Sequence, residues 1–151
     1  SSPQIGLTPS RGSGTIIGWL APLNTTAQPI DGTISVYGTS NECIGDTASF
    51  VASILPTPSF TNSSSSQTIC SDSPIVPIDW FTDVPGSVVS WNAVTSSSDV
   101  SVDPQVGTGN INSLNIINTS TSPQTVTIQA TVAFGDCPGD TVFHTINVNR
   151  W

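Results

Sequence analysis

The sequence predicts an all-β protein built of antiparallel β-sandwich units, the first of them incomplete. Three observations carry this reading. No stretch has a helical period of useful length, and 12 Pro and 12 Gly are spread along the 151 residues, where both break helices. Apolar and polar residues alternate with period two in several short runs. The third is an internal repeat. Asn24-Thr25-Thr26, Pro29, Thr33-Ile34 and Cys43-Ile44-Gly45-Asp46-Thr47 return as Asn118-Thr119-Ser120, Pro123, Thr127-Ile128 and Cys137-Pro138-Gly139-Asp140-Thr141. Asn24 and Asn118, like Cys43 and Cys137, stand 94 residues apart. A constant offset across several strand-like segments means that one structural unit occurs twice. Stepping the same offset back from the second unit puts the start of the first ahead of Ser1. The chain therefore reads as the C-terminal part of one repeat (1–56), a linker or first strand (57–66) and a complete repeat (67–151).

In the first unit, Thr33 to Val36 and Thr47 to Ile54 are expected to form a hairpin. Pro56-Thr57-Pro58 and the hydroxyl run to Ser66 mark a linker, unless part of it is a strand with Phe60 buried. In the complete unit, Thr68 to Cys70 is a short strand. Ile75 to Ile78 contains Pro77, so it should be an edge or an irregular ladder, and Asp79 to Thr82 extends it. Val84-Pro85-Gly86-Ser87 is a turn. Val88 to Val94 is a strand with Trp91 at its centre, and Val100 to Val102 and Leu114 to Ile117 are shorter strands. From Thr125 to Phe134 the alternation is clean, with Val126, Ile128, Ala130, Val132 and Phe134 on one face. Gly135 to Gly139 turns the chain into Thr141 to Val148, giving a second hairpin. Seven or so short strands with regular turns indicate an immunoglobulin-like sandwich.

Charge excludes several classes of partner. Arg11 and Arg150 are the only Lys or Arg, ten acids bring the net charge to −8, and charged residues are 8% of the chain. Nucleic acid needs clustered cations, and so does an anionic membrane surface. No segment approaches the ~20 apolar residues that span a bilayer. Ser1-Ser2-Pro3 lacks the basic region and apolar run of a signal peptide, as a mature or excised piece of a secreted protein would. The hydroxyl-rich, weakly charged composition suits an extracellular β-protein.

Cys43, Cys70 and Cys137 are an odd set. Cys70 stands near the start of the complete unit and Cys137 near its end, so the repeat predicts a Cys70–Cys137 disulfide and a Cys43 whose partner falls outside the chain. The alternative is three buried thiols. Trp91 is expected to pack across the bridge.

Catalysis finds little support. His144 is the lone histidine, at a core-facing parity, and matches Phe50 of the first unit, so it reads as a packing position. No serine lies in a nucleophile motif, and no zinc set or calcium loop is present. Asp79 with Asp83, or Asp99 with Asp103, are the only weak candidates for Ca²⁺. No cofactor is expected. Trp80 and Trp19, if exposed, could stack on sugars, which makes a carbohydrate-binding β-sandwich module of a secreted multidomain protein the second reading. Asn24, Asn62 and Asn118 open Asn-x-Ser/Thr triplets that read as polar loop chemistry. Trp151, after the last strand, is placed to touch a following unit.

Four segments taken together resemble a known family. These are Thr68-Ile69-Cys70-Ser71-Asp72-Ser73-Pro74-Ile75, then Asp83-Val84-Pro85-Gly86-Ser87 leading to Trp91, then Gly107-Thr108-Gly109-Asn110-Ile111, then Ser122-Pro123-Gln124-Thr125-Val126. They are similar to the PKD-like repeats of very large Bacteroidetes surface proteins, among them the SprB-type adhesins of gliding flavobacteria. The resemblance covers nearly all of 67–149 and, through the internal repeat, 17–54. The chain lacks the C-terminal secretion-signal domain that such proteins carry. The resemblance implies tandem sandwiches exported by type IX secretion, held at the cell surface, with an adhesive or stalk role and no catalysis. Neighbouring repeats, the secretion and anchoring machinery, or surface polysaccharide are the partners it implies. Asp46-Thr47-Ala48 and Asp140-Thr141-Val142 also match the Asp–Ser/Thr–apolar pattern of Bacteroidetes O-glycosylation, placing candidate glycans on Thr47 and Thr141.

Overall fold

The computed structural model describes residues 3–150, so Trp151 lies outside the described residues. Two compact units divide between Thr57 and Pro58. Apart from a 3-10 turn at Pro3–Ile5, every regular element is a strand.

The first unit is a long hairpin, β1 (Ile30–Ser40) with β2 (Cys43–Ile54), which form a two-stranded sheet. Asn41 and Glu42 join them with φ of 48° and 66°, the two positive values that a type I′ turn requires. Ile5 and Ile34 are its buried hydrophobic side chains, and Ile5 occupies the space above Gly32, where a Cβ would collide with it.

The second unit is a two-layer sandwich. Its strands are β3 (Ser65–Cys70), β4 (Val88–Thr95), β5 (Val100–Asp103), β6 (Val106–Thr108), β7 (Asn115–Asn118), β8 (Gln124–Phe134) and β9 (Cys137–Asn149). One layer is a five-stranded sheet in the order β3-β9-β8-β4-β6. The other is β5–β7, extended by the bridge Ile78↔Ile111. Pleating sends alternate residues inward, so Val126, Ile128, Ala130 and Val132 of β8 are each 1% exposed or less. They meet Val100, Val102, Ile111 and Ile116 from the opposite layer in one continuous core. Residues 58–61 run beside 81–83 through the bridge Phe60↔Thr82 and the bond Thr61 N–H to Phe81 O (2.8 Å).

The repeat holds in three dimensions. Ile30↔Ile54 in the first hairpin corresponds to Gln124↔Val148 in the second, each residue shifted by 94. The pairing is irregular between Tyr37 and Thr39 in one and between Thr131 and Ala133 in the other, again 94 apart. Two hairpins that share register and the position of a bulge were built from the same blueprint.

Several expectations need correction. Cys43, Cys70 and Cys137 are all free thiols. β3 pairs with β9 in parallel, which sets Cys70 beside Asn149, whereas Cys137 opens β9 opposite Phe134. The 13-residue length of β9 therefore separates the two cysteines by about 40 Å, far beyond the ~7 Å limit between Cα atoms for a bridge. Alkylating the unfolded, unreduced chain should modify all three cysteines, and a Cys70–Cys137 peptide in the digest would contradict the register.

Trp91 consequently packs on no disulfide. It sits between Ala130 of β8 and Gly107 of β6, and a Cβ at Gly107 would fall inside its indole ring. Gly107 is thus part of a strand. Ile75 and Ile78 are buried, but the segment around Pro77 forms only a bridge. β2 and β9 begin at Cys43 and Cys137, because the turn needs only two residues, and the Gly-Asp pairs that follow lie at the register shift, without Cα partners.

Candidate functional site

Two asparagines hold equivalent, buried positions just before the two hairpins. Asn118 is 4% exposed and Asn24 1%. Asn118 Nδ2 donates to Ser122 O (3.0 Å) and Val148 O (2.9 Å), and Oδ1 accepts from Ser120 N–H (2.9 Å). Asn24 Nδ2 donates to Gln28 O (2.8 Å) and Ile54 O (2.9 Å), and Oδ1 accepts from Thr26 N–H (2.9 Å). Every partner is shifted by the same 94 residues. Each amide locks the loop entering a hairpin onto that hairpin's last residues. With both amide hydrogens donated inside the fold, neither nitrogen is open to a glycan. Asn62 is similarly occupied, donating to Asp79 O and accepting from Phe81 N–H.

His144 lies inward on β9, 6% exposed, between Ser65 of β3 and Ile128 of β8. Its Nδ1 is 2.6 Å from Ser65 Oγ and its Nε2 is 3.0 Å from Gln67 Nε2. The Gln67 amide orientation follows from Val76 N–H, which must donate to Oε1 (2.8 Å). Gln67 Nε2 is therefore the donor to His144 Nε2, and the proton on the neutral ring resides on Nδ1, facing Ser65. A serine nucleophile needs the opposite arrangement, a ring nitrogen that accepts its proton and a carboxylate behind the ring. The Ser65–His144 contact is thus a structural latch, not a dyad. Gln67 also donates to Val76 O (3.1 Å), so one side chain ties β3 to β9 and to the segment around Pro77.

Burial holds the His144 pKa below its ordinary 6.5. Between the folded value and 6.5 the unfolded chain binds more protons, so stability falls as pH drops. Above 6.5 neither state is protonated and the contribution of the latch is complete. We expect melts of the second unit to weaken between pH 7 and 5, and His144→Phe, which copies Phe50, to flatten that slope. An unchanged slope would sink the assignment.

The other candidates have internal roles. Trp80 is half-buried against the core and meets Phe60 edge-on, with ring centroids 5.8 Å apart. Trp19, also half-buried, donates Nε1–H to Ile5 O (2.9 Å). Each ring is thus partly engaged within its own unit. Asp79 Oδ1 accepts from Asn110 Nδ2 (2.8 Å) and Asp83 Oδ1 from Ser59 N–H (2.7 Å), each fastening a loop. Asp99 precedes β5 and Asp103 ends it, and among the described residues no three acids, cysteines or histidines gather to hold a metal. Thr47 and Thr141 are both exposed, opposite Tyr37 and Thr131 beside the bulges.

What the described surface does offer is an open sheet. Ile111 and Leu114 are 2% and 5% exposed in the second unit; their counterparts Ile17 and Leu20 are 83% and 94% exposed. Likewise Ala130 and His144 are buried, whereas Val36 and Phe50 are each 49% exposed. Large apolar side chains thus stand exposed in the first unit at positions whose counterparts in the second are buried.

Comparison with known proteins agrees with this architecture. The family description "PKD-like domain" matches residues 67–150, more than half of the chain. No curated protein matches.

Proposed function

Since the chain belongs to the PKD-like domain family, whose members are in general non-catalytic modules of extracellular or surface proteins, we propose that it is a structural and adhesive repeat of a bacterial giant surface adhesin. In this reading the parent protein is a gliding-motility adhesin of the SprB type, exported by type IX secretion and displayed at the outer surface. The repeats act as spacers that hold or form an adhesive surface away from the cell, and neighbouring repeats of the same polypeptide cover one another. The observation that carries the reading is the duplicated hairpin, with common register, common bulge and common asparagine clamp. One geometry occurs twice in one chain. The Ser65–His144 contact bears the wrong tautomer for a serine nucleophile.

Antiserum against the chain should label intact Bacteroidetes cells that encode it, and labelling should vanish when type IX secretion is disabled. Signal only in lysed cells would remove the surface assignment. Surface signal independent of type IX secretion would remove the export route.

A further inference from the structure

We infer that the outer face of the five-stranded sheet binds a linear, uncharged glycan laid across the strands, with Phe143 as the stacking residue and the Gln129 and Asn92 amides as the hydrogen-bonding pair. The inference rests on reading the chain as an adhesive repeat, and it adds the site and the chemical class of the partner.

Register builds the site. Ile128, Ala130 and His144 point into the core, so pleating turns Gln129 and Phe143 outward. Asn92 pairs with Val106 on one side and with Gln129 on the other, and Gln129 pairs with Phe143. One row therefore crosses β6, β4, β8 and β9 in the order Val106, Asn92, Gln129, Phe143. Its positions stand about 4.8 Å apart, close to the length of one sugar unit in an extended glycan. The ends of the row are apolar and open, Phe143 47% and Val106 67% exposed. Its middle is a pair of half-buried amides whose side chains make no hydrogen bond among the described residues. The amides of Asn118, Asn62 and Gln67 are spent on the fold; these two are not. Thr127 and Thr131 flank Gln129 on β8 and add a hydroxyl to either side of the row.

Charge selects the partner. β3, β4, β6 and β8 contain no charged residue, and β9 contains only Asp140, close to its turn, and the inward His144. The face therefore offers an ion nothing to pair with. Asp72, Asp79, Asp83, Asp99 and Asp136 lie in turns and loops of the same unit, and with a net charge of −8 the chain repels an anionic glycan. A protein surface pressed onto the row would strip water from amides and hydroxyls that it has no matching groups to satisfy. A neutral glycan brings hydroxyls that each donate and accept, which suits an amide pair, and sugar rings whose C–H faces suit Phe143. It thus meets both the polar middle and the apolar ends of the row. Trp80 belongs to no strand of this sheet and packs against the core instead.

The test titrates the full, isotope-labelled chain with hexasaccharides of a neutral β-glucan, β-mannan and β-galactan, and of the anionic alginate, and reads backbone amide shifts by NMR. At least one neutral glycan should shift the amides around Asn92, Gln129 and Phe143, and alginate should shift none of them. Phe143→Ala should weaken the binding about tenfold, and Gln129→Ala should weaken it as well. Phe143→Tyr, which keeps the ring, should bind as the parent does. Absence of shifts with all three neutral glycans would overturn the proposal, as would equal binding of alginate. Binding that survives Phe143→Ala unchanged, or that maps to Trp80 or Trp19, would also overturn it. Shifts of the same amides on concentrating the chain alone would assign the face to a second copy, against the proposal. A failure here leaves surface display and type IX export untouched, and a failure of those leaves a measured affinity standing, so the two readings fail independently.

Discussion

Trp91→Ala should cost the second unit about 3–5 kcal/mol, the range for deleting a large buried aromatic side chain. Small domains hold only about 5–15 kcal/mol in total, so this one change removes much of the margin. For a unit of this size the melting midpoint should fall by roughly 4–8 °C per kcal/mol. The reason is geometric. Trp91 is 7% exposed and fills a gap that Ala130 and Gly107 leave on either side of it. Removing the indole empties a space between two residues too small to collapse into it. The reciprocal change, Gly107→Ala, drives a methyl group into the ring and should destabilise by about 1–3 kcal/mol. The two effects are coupled, because each substitution makes room for the other. The double variant should therefore be more stable than the sum of the single losses predicts. Strict additivity in calorimetry would show that Gly107 is there for some other reason.

Different parts of this architecture were legible to different degrees, for physical reasons. β8 stood out because both its neighbours lie in the same sheet and one face is fully buried, which forces strict alternation from Val126 to Val132. β6 did not, because its three residues are held by backbone pairing to β4 and its central glycine reflects the size of Trp91. A glycine kept for space looks the same in sequence as one kept for a turn. The cysteine pairing failed on strand direction and register together. Had β3 run antiparallel to β9, its end at Cys70 would lie nearer the Cys137 end of that strand; the parallel pairing carries Cys70 away. Direction depends on how the chain crosses from layer to layer, and no local pattern records it. The interior position of His144 was visible from parity and from its match to Phe50. Its latch was not, because Gln67 is 77 residues away and supplies a single amide.

Asn118→Ala is the second large effect, at about 2–4 kcal/mol. It removes a donor from Val148 O, the acceptor of Ser120 N–H, and one of the two donors to Ser122 O, which keeps Ser120 Oγ (2.6 Å). A buried polar group left without its partner forfeits about 1–3 kcal/mol, partly recovered here where Ser122 lies near solvent. The more revealing variant is Asn118→Asp, which keeps the shape and the acceptor for Ser120 N–H but replaces the donor with an anionic oxygen facing two carbonyls. If the clamp works by donating, Asp must be at least as damaging as Ala at pH 7, and lowering the pH should recover part of the loss as the carboxyl gains a proton. If the site only needs volume, Asp will be nearly neutral. Asn24 provides the internal control, because its bonds to Gln28 O, Ile54 O and Thr26 N–H repeat the arrangement in a unit with a much smaller buried core. Asn24→Asp should loosen exchange at Ile54 and at the start of β1 while leaving the second unit untouched. The same ordering of Asn, Ala and Asp at both positions would show that one hydrogen-bond device closes both hairpins, and opposite orderings would separate them.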